Sequence, residues 1–524
     1  MTPPNAGVAE TLRHALGAII DIDLTADERT IGDSTFTALG GDSIKAVMLS
    51  ALLEQTLGRR LPVALILDRT STIADLLRHL QTGAHAEPDR PTAARAHGNG
   101  DRLRAGDFAI DRWLPTREKQ TATRARSGPR VVLLTGANGF LGRFILLDLL
   151  QRAPDEIAHV ACLVRARDAA GARARLAAGF ATDPMLLRLF EQLARGGRLG
   201  VFAGDLIRAD LGLPRAIYDA LAGEVDTLVH AGALINHALP YDALFEPNVL
   251  GTMEIARLAL RGRPKSLAFM STVGLADGLD RAAPLRETET ARGLWPERAR
   301  CSSAPGQGYA ASKWAGELLL EQLCERNGVP VSVFRCSNLT AHRRYRGQIN
   351  ADDVLSRLLA GLVYTGVAPS SFFADPARPA RFDGVPVDFA AGAVVDLALA
   401  NDGGPGPRIF HVVAPERACG LSLDEMRDAV KIHGYPLVRT ADHGIWYRTF
   451  NERLQRLDAD RRRHSPLSIV AHWRTPLPGG SPPDASRFHR SLAEIRGNAA
   501  AQCPPLTADD VHKCLDDLQF LGVI

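Results

Sequence analysis

The spacing of apolar residues divides the chain into two parts. Over residues 1–82, leucines and other apolar residues recur every three or four positions, as in amphipathic helices. This pattern predicts a small all-helical domain with helices from Ala9 to Ile20, from Ser43 to Leu53 and from Ala74 to Leu80. Residues 83–106 are mostly small and polar and are interrupted by Pro and Gly, so we predict a linker there.

A different pattern begins at Arg130, where continuous apolar runs alternate with helix-like stretches. The runs are VVLLTG, HVACLVRA, VDTLVHAGA, SLAFMST and VPVSVFR. Unbroken apolar runs between helices are typical of buried parallel strands. We therefore predict an α/β domain over residues 107–524 with a Rossmann-like, doubly wound parallel sheet. Its core is expected at about 130–347 and a smaller substrate subdomain at about 348–524.

Composition narrows the possible partners. The 524 residues include 62 Lys and Arg against 59 Asp and Glu, a net charge of +3, which favours neither nucleic acid nor an anionic membrane as a partner. The seven Cys are scattered and never spaced CxxC, which indicates reduced thiols and no metal site. No signal peptide and no apolar run of transmembrane length is visible, so we expect a cytoplasmic protein.

A candidate modification site precedes the second predicted helix, in the segment LGGDSIK. Two glycines allow a sharp turn, and Asp42 and Ser43 then begin the helix, so an isolated Asp-Ser pair would be explained by helix capping. The whole segment, however, resembles the modification motif of acyl and peptidyl carrier domains. The resemblance implies that a phosphopantetheinyl transferase attaches a 4′-phosphopantetheine arm to Ser43, and that the thiol of this arm holds an acyl group.

A candidate nucleotide site lies in the segment GANGFLGR, between an apolar run and a helix. Glycines at this spacing permit a tight turn, and the helix N-terminus favours a pyrophosphate. The next strand ends at Arg165 without the acid that binds the ribose of NAD, and Arg143 and Arg175 are near in sequence. Arginine suits a 2′-phosphate, which favours NADPH, although a solvated surface Arg is the alternative.

Several further positions are expected to line this site. Asp205 and Leu206, which follow the apolar segment VFAG, would flank the adenine, and Ala231, Gly232 and Ala233, which follow VDTLVH, would line the pocket, unless these residues only pack strand ends. The full set of candidate cofactor residues is Gly136, Asn138, Gly139, Phe140, Leu141, Gly142, Arg143, Arg165, Arg175, Asp205, Leu206, Ala231, Gly232, Ala233, Ser271, Tyr309 and Lys313.

A candidate catalytic group follows the nucleotide motif. Tyr309 and Lys313 are four residues apart, so on a helix they share one face, where the ammonium can stabilise a phenolate. Thr272 and Ser271 end the strand SLAFMST. Together with the Gly-rich loop, this set resembles the extended short-chain dehydrogenase/reductase family. The resemblance implies that Thr272, with Ser271 as the alternative, binds a carbonyl oxygen, that Tyr309 protonates it and that Lys313 tunes Tyr309. It also implies that Asn248 lies near Lys313, with helix capping as the alternative.

Taken together, the motifs resemble the carrier and thioester reductase domains of carboxylic acid reductases. The motifs are LGGDS, TGANGFLGR, CLVRA, HAGALINHALPY, STV, YAASKWAGE and AHRRYRGQIN. The resemblance implies that NADPH reduces the acyl thioester through a hemithioacetal, which releases an aldehyde and the free thiol.

Two departures from that family change the expectation. The adenylation domain is absent, so an acyl-loading enzyme, an adenylating enzyme or a synthase, is expected in trans unless the chain is a fragment. Ser337 stands where these reductases usually carry an acid near the nicotinamide, so some aldehyde is expected to be reduced further to alcohol, with Asn338 as a compensating side chain. The alternative is that backbone contacts order the loop near the nicotinamide and Ser337 changes nothing. The alternatives are a reductase or epimerase of free carbonyl compounds or sugars, and a non-catalytic carrier protein.

Overall fold

The computed structural model describes two bodies of secondary structure in contact with each other. It describes residues 6–20, 28–68, 70–82, 91–114, 128–279, 283–300, 306–400, 403–404, 406–414, 420–479, 483–498 and 501–524. The N-terminal body consists of helices α1 Ala6–Ile20, α2 Glu28–Asp33, α3 Ser43–Leu57, α4 Val63–Ile66 and α5 Ile73–Thr82. Their leucines and Phe36 form one buried cluster, which also includes Leu239, Ala243 and Leu244 of the larger body.

Helix α3 begins at the candidate modification site. The side chain of Asp42 accepts a hydrogen bond from the backbone N–H of Lys45 at 2.8 Å, which caps the helix. Ser43 is the first residue of the helix, and its side chain is half-buried. The serine hydroxyl therefore lies at the N-terminus of the helix.

The larger body is built on a seven-stranded parallel sheet, which confirms the predicted fold class. Its strand order is β12-β8-β6-β5-β2-β3-β4. The strands are β2 Arg130–Thr135, β3 Ile157–Val164, β4 Leu199–Ala203, β5 Thr227–His230, β6 Ser266–Thr272, β8 Val331–Cys336 and β12 Arg408–Val412. Five of these match the predicted apolar runs, and the edge strands β4 and β12 extend the sheet on either side.

Helices cover both faces of this sheet, as a doubly wound fold requires. The helices from the first half of the domain are α7 Phe140–Gln151, α8 Ala169–Ala178, α9 Pro184–Arg195, α10 Arg215–Glu224, α11 Tyr241–Leu244, α12 Gly251–Ala259, α13 Ala291–Leu294 and α14 Gln307–Asn327. Helix α16 Val387–Leu399 packs on α7 and shares its apolar cluster. Both α16 and β12 come after residue 347, so the sheet layer extends beyond the predicted core of 130–347.

The remaining C-terminal elements enclose an apolar cluster of their own. Three tryptophan and phenylalanine side chains at its centre, Trp446, Phe450 and Trp473, are almost fully buried. The helices of this cluster are α15 Val354–Thr365, α17 Leu423–Ile432, α18 His443–Gln455 and α21 Ala508–Phe520, with the short helix α19 Ala459–His464 on the surface. Helix α20 Ser486–Arg496 instead packs on α16 and β12 and shares the apolar cluster of the sheet. Two short parallel pairs join strands β9 Leu339–Thr340 with β11 Val385–Pro386, and β10 Val367–Pro369 with β13 Val438–Thr440.

The predicted linker is only partly described. Residues 83–90 lie outside the described ranges, and the rest of the segment packs against the larger body. Helix α6 Ala93–His97 and strand β1 Arg102–Arg104 bury Ala93, Ala96 and Leu103, and β1 pairs antiparallel with β7 Glu297–Ala299. Within the described ranges, no helix is long and apolar enough to cross a membrane. The same residues contain no group of three or more His, Cys, Asp or Glu side chains placed to hold a metal ion.

Candidate active site

The Gly-rich loop joins β2 to α7 and brings backbone very close to backbone. Gly136 has φ of +73°, which only glycine adopts readily. A Cβ at Gly142 would lie 2.0 Å from the carbonyl oxygen of Gly136, so a side chain there would displace the loop. The N-terminus of α7 therefore opens directly onto the loop, and its free N–H groups favour a pyrophosphate.

A cavity of about 670 Å³ begins at this loop and runs along the carboxyl ends of the central strands. Its lining contains every residue that the sequence predicts for the cofactor except Arg143. Thr272, Tyr309 and Lys313 line the same cavity, so the structure brings the candidate nucleotide site and the candidate catalytic group together. A cavity of this size, with glycines at one end and polar groups at the other, fits a dinucleotide and a substrate.

The three candidate arginines have different environments. The guanidinium of Arg143 is turned away from the cavity and donates to the carbonyl oxygen of Gly179 at 2.6 Å; burial lowers its pKa to about 10. Arg165 and Arg175 line the cavity, and both contact Asp68 of the helical domain. The sequence could not show this contact, because the carboxylate is 97 residues from Arg165.

Tyr309 and Lys313 lie one turn apart on α14, as predicted. The ammonium of Lys313 lies 5.9 Å from the centre of the Tyr309 ring and donates to the carbonyl oxygen of Met270 at 2.9 Å. Burial lowers the pKa of Lys313 to about 8 and raises the pKa of Tyr309 above its usual range. Tyr309 is therefore protonated at neutral pH and has a proton to donate.

The two hydroxyls at the end of β6 have different partners. Ser271 donates to the buried carboxylate of Glu317 at 2.5 Å, and Glu317 is also paired with Arg335 at 2.7 Å. Thr272 accepts a hydrogen bond from the backbone N–H of Gly274 at 3.1 Å, which leaves its hydroxyl proton available to a ligand. This arrangement favours Thr272 over Ser271 for binding a carbonyl oxygen, although both residues line the cavity.

Asn248 connects the loop after β5 to the catalytic helix. It lies in a turn of π-helix over Phe245–Leu250, a feature frequent at functional sites. Its side chain accepts from the N–H of Leu234 at 2.7 Å and donates to the hydroxyl of Ser312, next to Lys313, at 2.9 Å. Asn248 thus fixes the position of α14 relative to the loop, as its predicted place near Lys313 implies.

The same loop makes a contact that the sequence does not predict. The side-chain amide of Asn236 donates to the hydroxyl of Ser43 at 2.6 Å. Leu234, Ile235 and His237, on either side of Asn236, line the cavity. The modification site of the helical domain therefore lies beside the loop that borders the cavity. The only signal in the sequence is the motif HAGALINHALPY, which includes Asn236 but does not name its partner.

An acid lies beside Ser337 even though residue 337 is not one. The hydroxyl of Ser337 donates to the carboxylate of Asp383, and both residues line the cavity. Burial raises the pKa of Asp383, and the hydrogen bond from Ser337 opposes that shift. The loop after β8 is also held through its backbone, since the N–H of Val385 bonds to the carbonyl oxygen of Asn338 at 3.1 Å.

Comparison with known proteins agrees with both parts of this site. The family model for the phosphopantetheine attachment site matches residues 10–80, and the model described as male sterility protein, an NAD-binding family, matches residues 134–394. A carboxylic acid reductase of Segniliparus rugosus is 37% identical over 99% of this chain, which spans 44% of that relative's length.

Solved structures extend the agreement. The crystal structure of the reductase domain of a nonribosomal peptide synthetase from Mycobacterium tuberculosis has a TM-score of 0.73 and 34% identity, covering 81% of this chain and all of that one. The thiolation-reductase di-domain of an archaeal nonribosomal peptide synthetase, at 17% identity and a TM-score of 0.53, shares the fold over 98% of both chains. The chain belongs to the family of carrier and reductase domains found in carboxylic acid reductases and nonribosomal peptide synthetases.

Proposed function

We propose that this protein holds an acyl group on a phosphopantetheine arm at Ser43 and releases it as an aldehyde, using NADPH. In this proposal residues 1–82 are the carrier domain and residues 107–524 the thioester reductase domain. The observation that carries the proposal is the hydrogen bond from Asn236 to Ser43, beside the loop that lines the cavity. An arm on Ser43 would start at the edge of the cavity that contains Tyr309 and Lys313. A reductase of free carbonyl compounds would need no such tether.

Different residues of the cavity would bind the cofactor and transfer the proton. The Gly-rich loop and the N-terminus of α7 would hold the pyrophosphate, and Arg165 and Arg175 the 2′-phosphate. The bound cofactor supplies a hydride to the thioester carbonyl carbon. Thr272 and Tyr309 would hydrogen-bond the carbonyl oxygen as negative charge develops on it, and Tyr309 would give it a proton. The C–S bond of the resulting hemithioacetal then breaks, which yields the aldehyde and the thiol.

Three further expectations belong to this proposal. A phosphopantetheinyl transferase would install the arm, and an adenylating enzyme or synthase would load the acyl group. Loading of the acyl group by a separate protein stays a prediction. The chain spans 44% of the length of the Segniliparus rugosus reductase, so the comparison does not test where the loading enzyme lies. A cytoplasmic location is likewise a prediction from the sequence.

The proposal is tested by changing Asn236 to alanine. The variant loses the hydrogen bond that holds the arm's attachment point, so kcat/KM for an acyl group on the chain's own arm is expected to fall about tenfold. A free acyl-pantetheine thioester reaches the cavity without the carrier and should be reduced at the wild-type rate. Both reactions are followed by NADPH absorbance, with the aldehyde identified by chromatography. An equal loss with both substrates, or no aldehyde from the wild type, would contradict the proposal.

Cofactor preference gives a second test, made with the free thioester so that delivery of the substrate by the carrier arm does not contribute. The wild type is expected to prefer NADPH to NADH, and Arg165→Ala is expected to lose about 10-fold or more in kcat/KM for NADPH, since a charge-assisted contact to phosphate is removed. Its kcat/KM for NADH should change little. Arg167→Ala is the matched control, because Arg167 pairs with Asp75 of the carrier domain and does not line the cavity. Equal efficiency with both cofactors in the wild type would refute the assignment.

The product is expected to be mainly aldehyde, with measurable further reduction to alcohol. Ser337 is uncharged, and its hydroxyl donates to the carboxylate of Asp383, so it supplies no charge of its own to anchor the loop that follows β8. With free aldehyde and NADPH, Ser337→Asp is therefore expected to form less alcohol than the wild type, while Ser337→Asn, of equal size, keeps the wild-type rate. The alcohol is measured by chromatography. If the wild type forms none at any aldehyde concentration, Ser337 does not control this step.

A further inference from the structure

Asp68 of the carrier domain occupies the two arginines that border the nucleotide end of the cavity. It follows α4, and one of its carboxylate oxygens pairs with Arg175 at 2.9 Å and with Arg165. Arg165 also donates to the carbonyl oxygen of Ala64 at 3.3 Å, and Ala64 itself lines the cavity. The carrier domain thus contacts the larger domain at two places along the cavity. The carboxylate of Asp68 lies at the nucleotide end of the cavity, and Ser43 lies at its rim.

This contact is a buried ion pair, unlike most contacts between surface charges. The Asp68 side chain is 0% exposed, and those of Arg165 and Arg175 are 31% and 23% exposed. Burial alone would raise the pKa of Asp68, but Arg165, Arg175 and hydrogen bonds from Thr70 outweigh it and lower the pKa to about 2. At neutral pH the arginines therefore face a full negative charge, held in place by Thr70 at 2.8 Å.

A phosphate monoester would need the same donors. A 2′-phosphate carries a charge of about −1.5 to −2 at pH 7 and binds arginine through charge-assisted hydrogen bonds. The carboxylate of Asp68 and the phosphate would repel each other if both stayed on Arg165 and Arg175. One of them must therefore withdraw, or bind more weakly, when the other is present.

We propose that Arg165 and Arg175 form one anion site which Asp68 and the 2′-phosphate of NADPH occupy in turn. The inference rests on the proposed role of these arginines in holding NADPH. Docking of the carrier domain in this arrangement weakens NADPH binding, and NADPH, by thermodynamic reciprocity, loosens the Asp68 contact. NADH, which lacks the 2′-phosphate, does not compete with Asp68.

Other contacts let the carrier domain stay bound while Asp68 withdraws. Arg167 pairs with Asp75, and Arg60 lies 3.5 Å from Glu246; none of these four residues lines the cavity. The hydrogen bond from Asn236 to Ser43 is likewise separate from the arginine pair. The carrier domain can therefore present its arm while the segment around Asp68 makes room for the cofactor.

The test compares Asp68→Asn with Asp75→Asn in the full chain, with Ser43 unmodified, so that no acyl group can react. Dissociation constants for NADPH and NADH are measured from the fluorescence of the reduced nicotinamide. Asp68→Asn is expected to bind NADPH about 5–50-fold more tightly than the wild type, within the usual range of coupling between sites, and NADH within about twofold. Asp75→Asn, which breaks an ion pair at the same interface, should leave both constants unchanged.

Two outcomes would overturn the inference: unchanged NADPH affinity in Asp68→Asn, or equal tightening of NADPH and NADH. Failure of the proposed function looks different, because Arg165→Ala in the Asp68→Asn background would then bind NADPH and NADH as tightly as Asp68→Asn alone. Asp68→Asn is checked for a folded carrier domain by its uptake of the phosphopantetheine arm, followed by intact mass.

The wild type can also be tested directly, without a variant. Amide exchange over residues 63–68 should be faster with saturating NADPH than with saturating NADH, and equal exchange would contradict the competition.

Discussion

Replacing Ser43 with alanine is expected to abolish the release of an aldehyde from the carrier domain. Without the hydroxyl no phosphodiester can form, so the chain gains no arm after incubation with coenzyme A and a phosphopantetheinyl transferase. The loss should be complete, because a tethered substrate cannot form at all. Intact mass measures arm uptake, and chromatography measures the aldehyde after loading with an acyl group.

The reductase domain of this variant provides the control. Ser43→Ala should still reduce a free acyl-pantetheine thioester, because this substrate reaches the cavity without the carrier arm and the variant loses only the Asn236 contact to Ser43 itself. Ser34→Ala removes a second carrier serine, whose hydroxyl donates to the carbonyl oxygen of Thr30 at 2.8 Å, and should take up the arm normally. An arm mapped to another residue in Ser43→Ala would disprove the carrier assignment.

The sheet and the Gly-rich loop could be predicted because their signals are local. Each central strand is an unbroken apolar run, and the loop between β2 and α7 needs glycine at Gly136 and Gly142 for reasons of backbone geometry. The edge strands were less visible. Strand β4 has one buried residue, Val201, and β12 joins the sheet after more than seventy intervening residues, so no local pattern connects it to β8.

The contacts between the two domains were beyond the sequence for a related reason. Asn236 and Ser43 are 193 residues apart, and Arg165 and Asp68 are 97 apart, so neither spacing predicts a contact. The sequence indicated that Arg165 binds an anion, but it could not show that the carrier domain supplies a carboxylate to it. Motifs identify which residues can do chemistry, whereas docking depends on surface shape and charge that only the folded chain displays.

The fold distinguishes the two hydroxyls at the end of β6, which the sequence alone left as alternatives for binding the carbonyl oxygen. Neighbouring residues on a strand point to opposite faces, so Ser271 and Thr272 cannot both reach one carbonyl oxygen in the same way. Ser271 is committed to Glu317, whose carboxylate also pairs with the fully buried Arg335. Thr272 keeps a proton to donate into the cavity that Tyr309 also lines, which makes these two residues the pair to test for oxyanion binding.

Replacing Tyr309 with phenylalanine is expected to lower kcat for thioester reduction about 10²–10⁴-fold, the usual contribution of general acid catalysis. The ring is retained, so its edge contact with His237, with ring centres 5.6 Å apart, should persist and the cavity should keep its shape. NADPH affinity, measured by nucleotide fluorescence, is therefore expected to stay within about twofold, since phenylalanine removes no contact to the phosphates.

The pH dependence of kcat distinguishes the role of Tyr309 as proton donor from the role of Lys313. Burial lowers the pKa of Lys313 to about 8, so its ammonium is charged at neutral pH and loses that charge as the pH rises through about 8. If the ammonium assists Tyr309, wild-type kcat should fall above that pH, while the small residual rate of Tyr309→Phe should not follow the same profile. Lys313→Met, which removes the charge but keeps the length of the side chain, should abolish the fall as well. Near-normal turnover in Tyr309→Phe would mean that the proton reaches the carbonyl oxygen from another group.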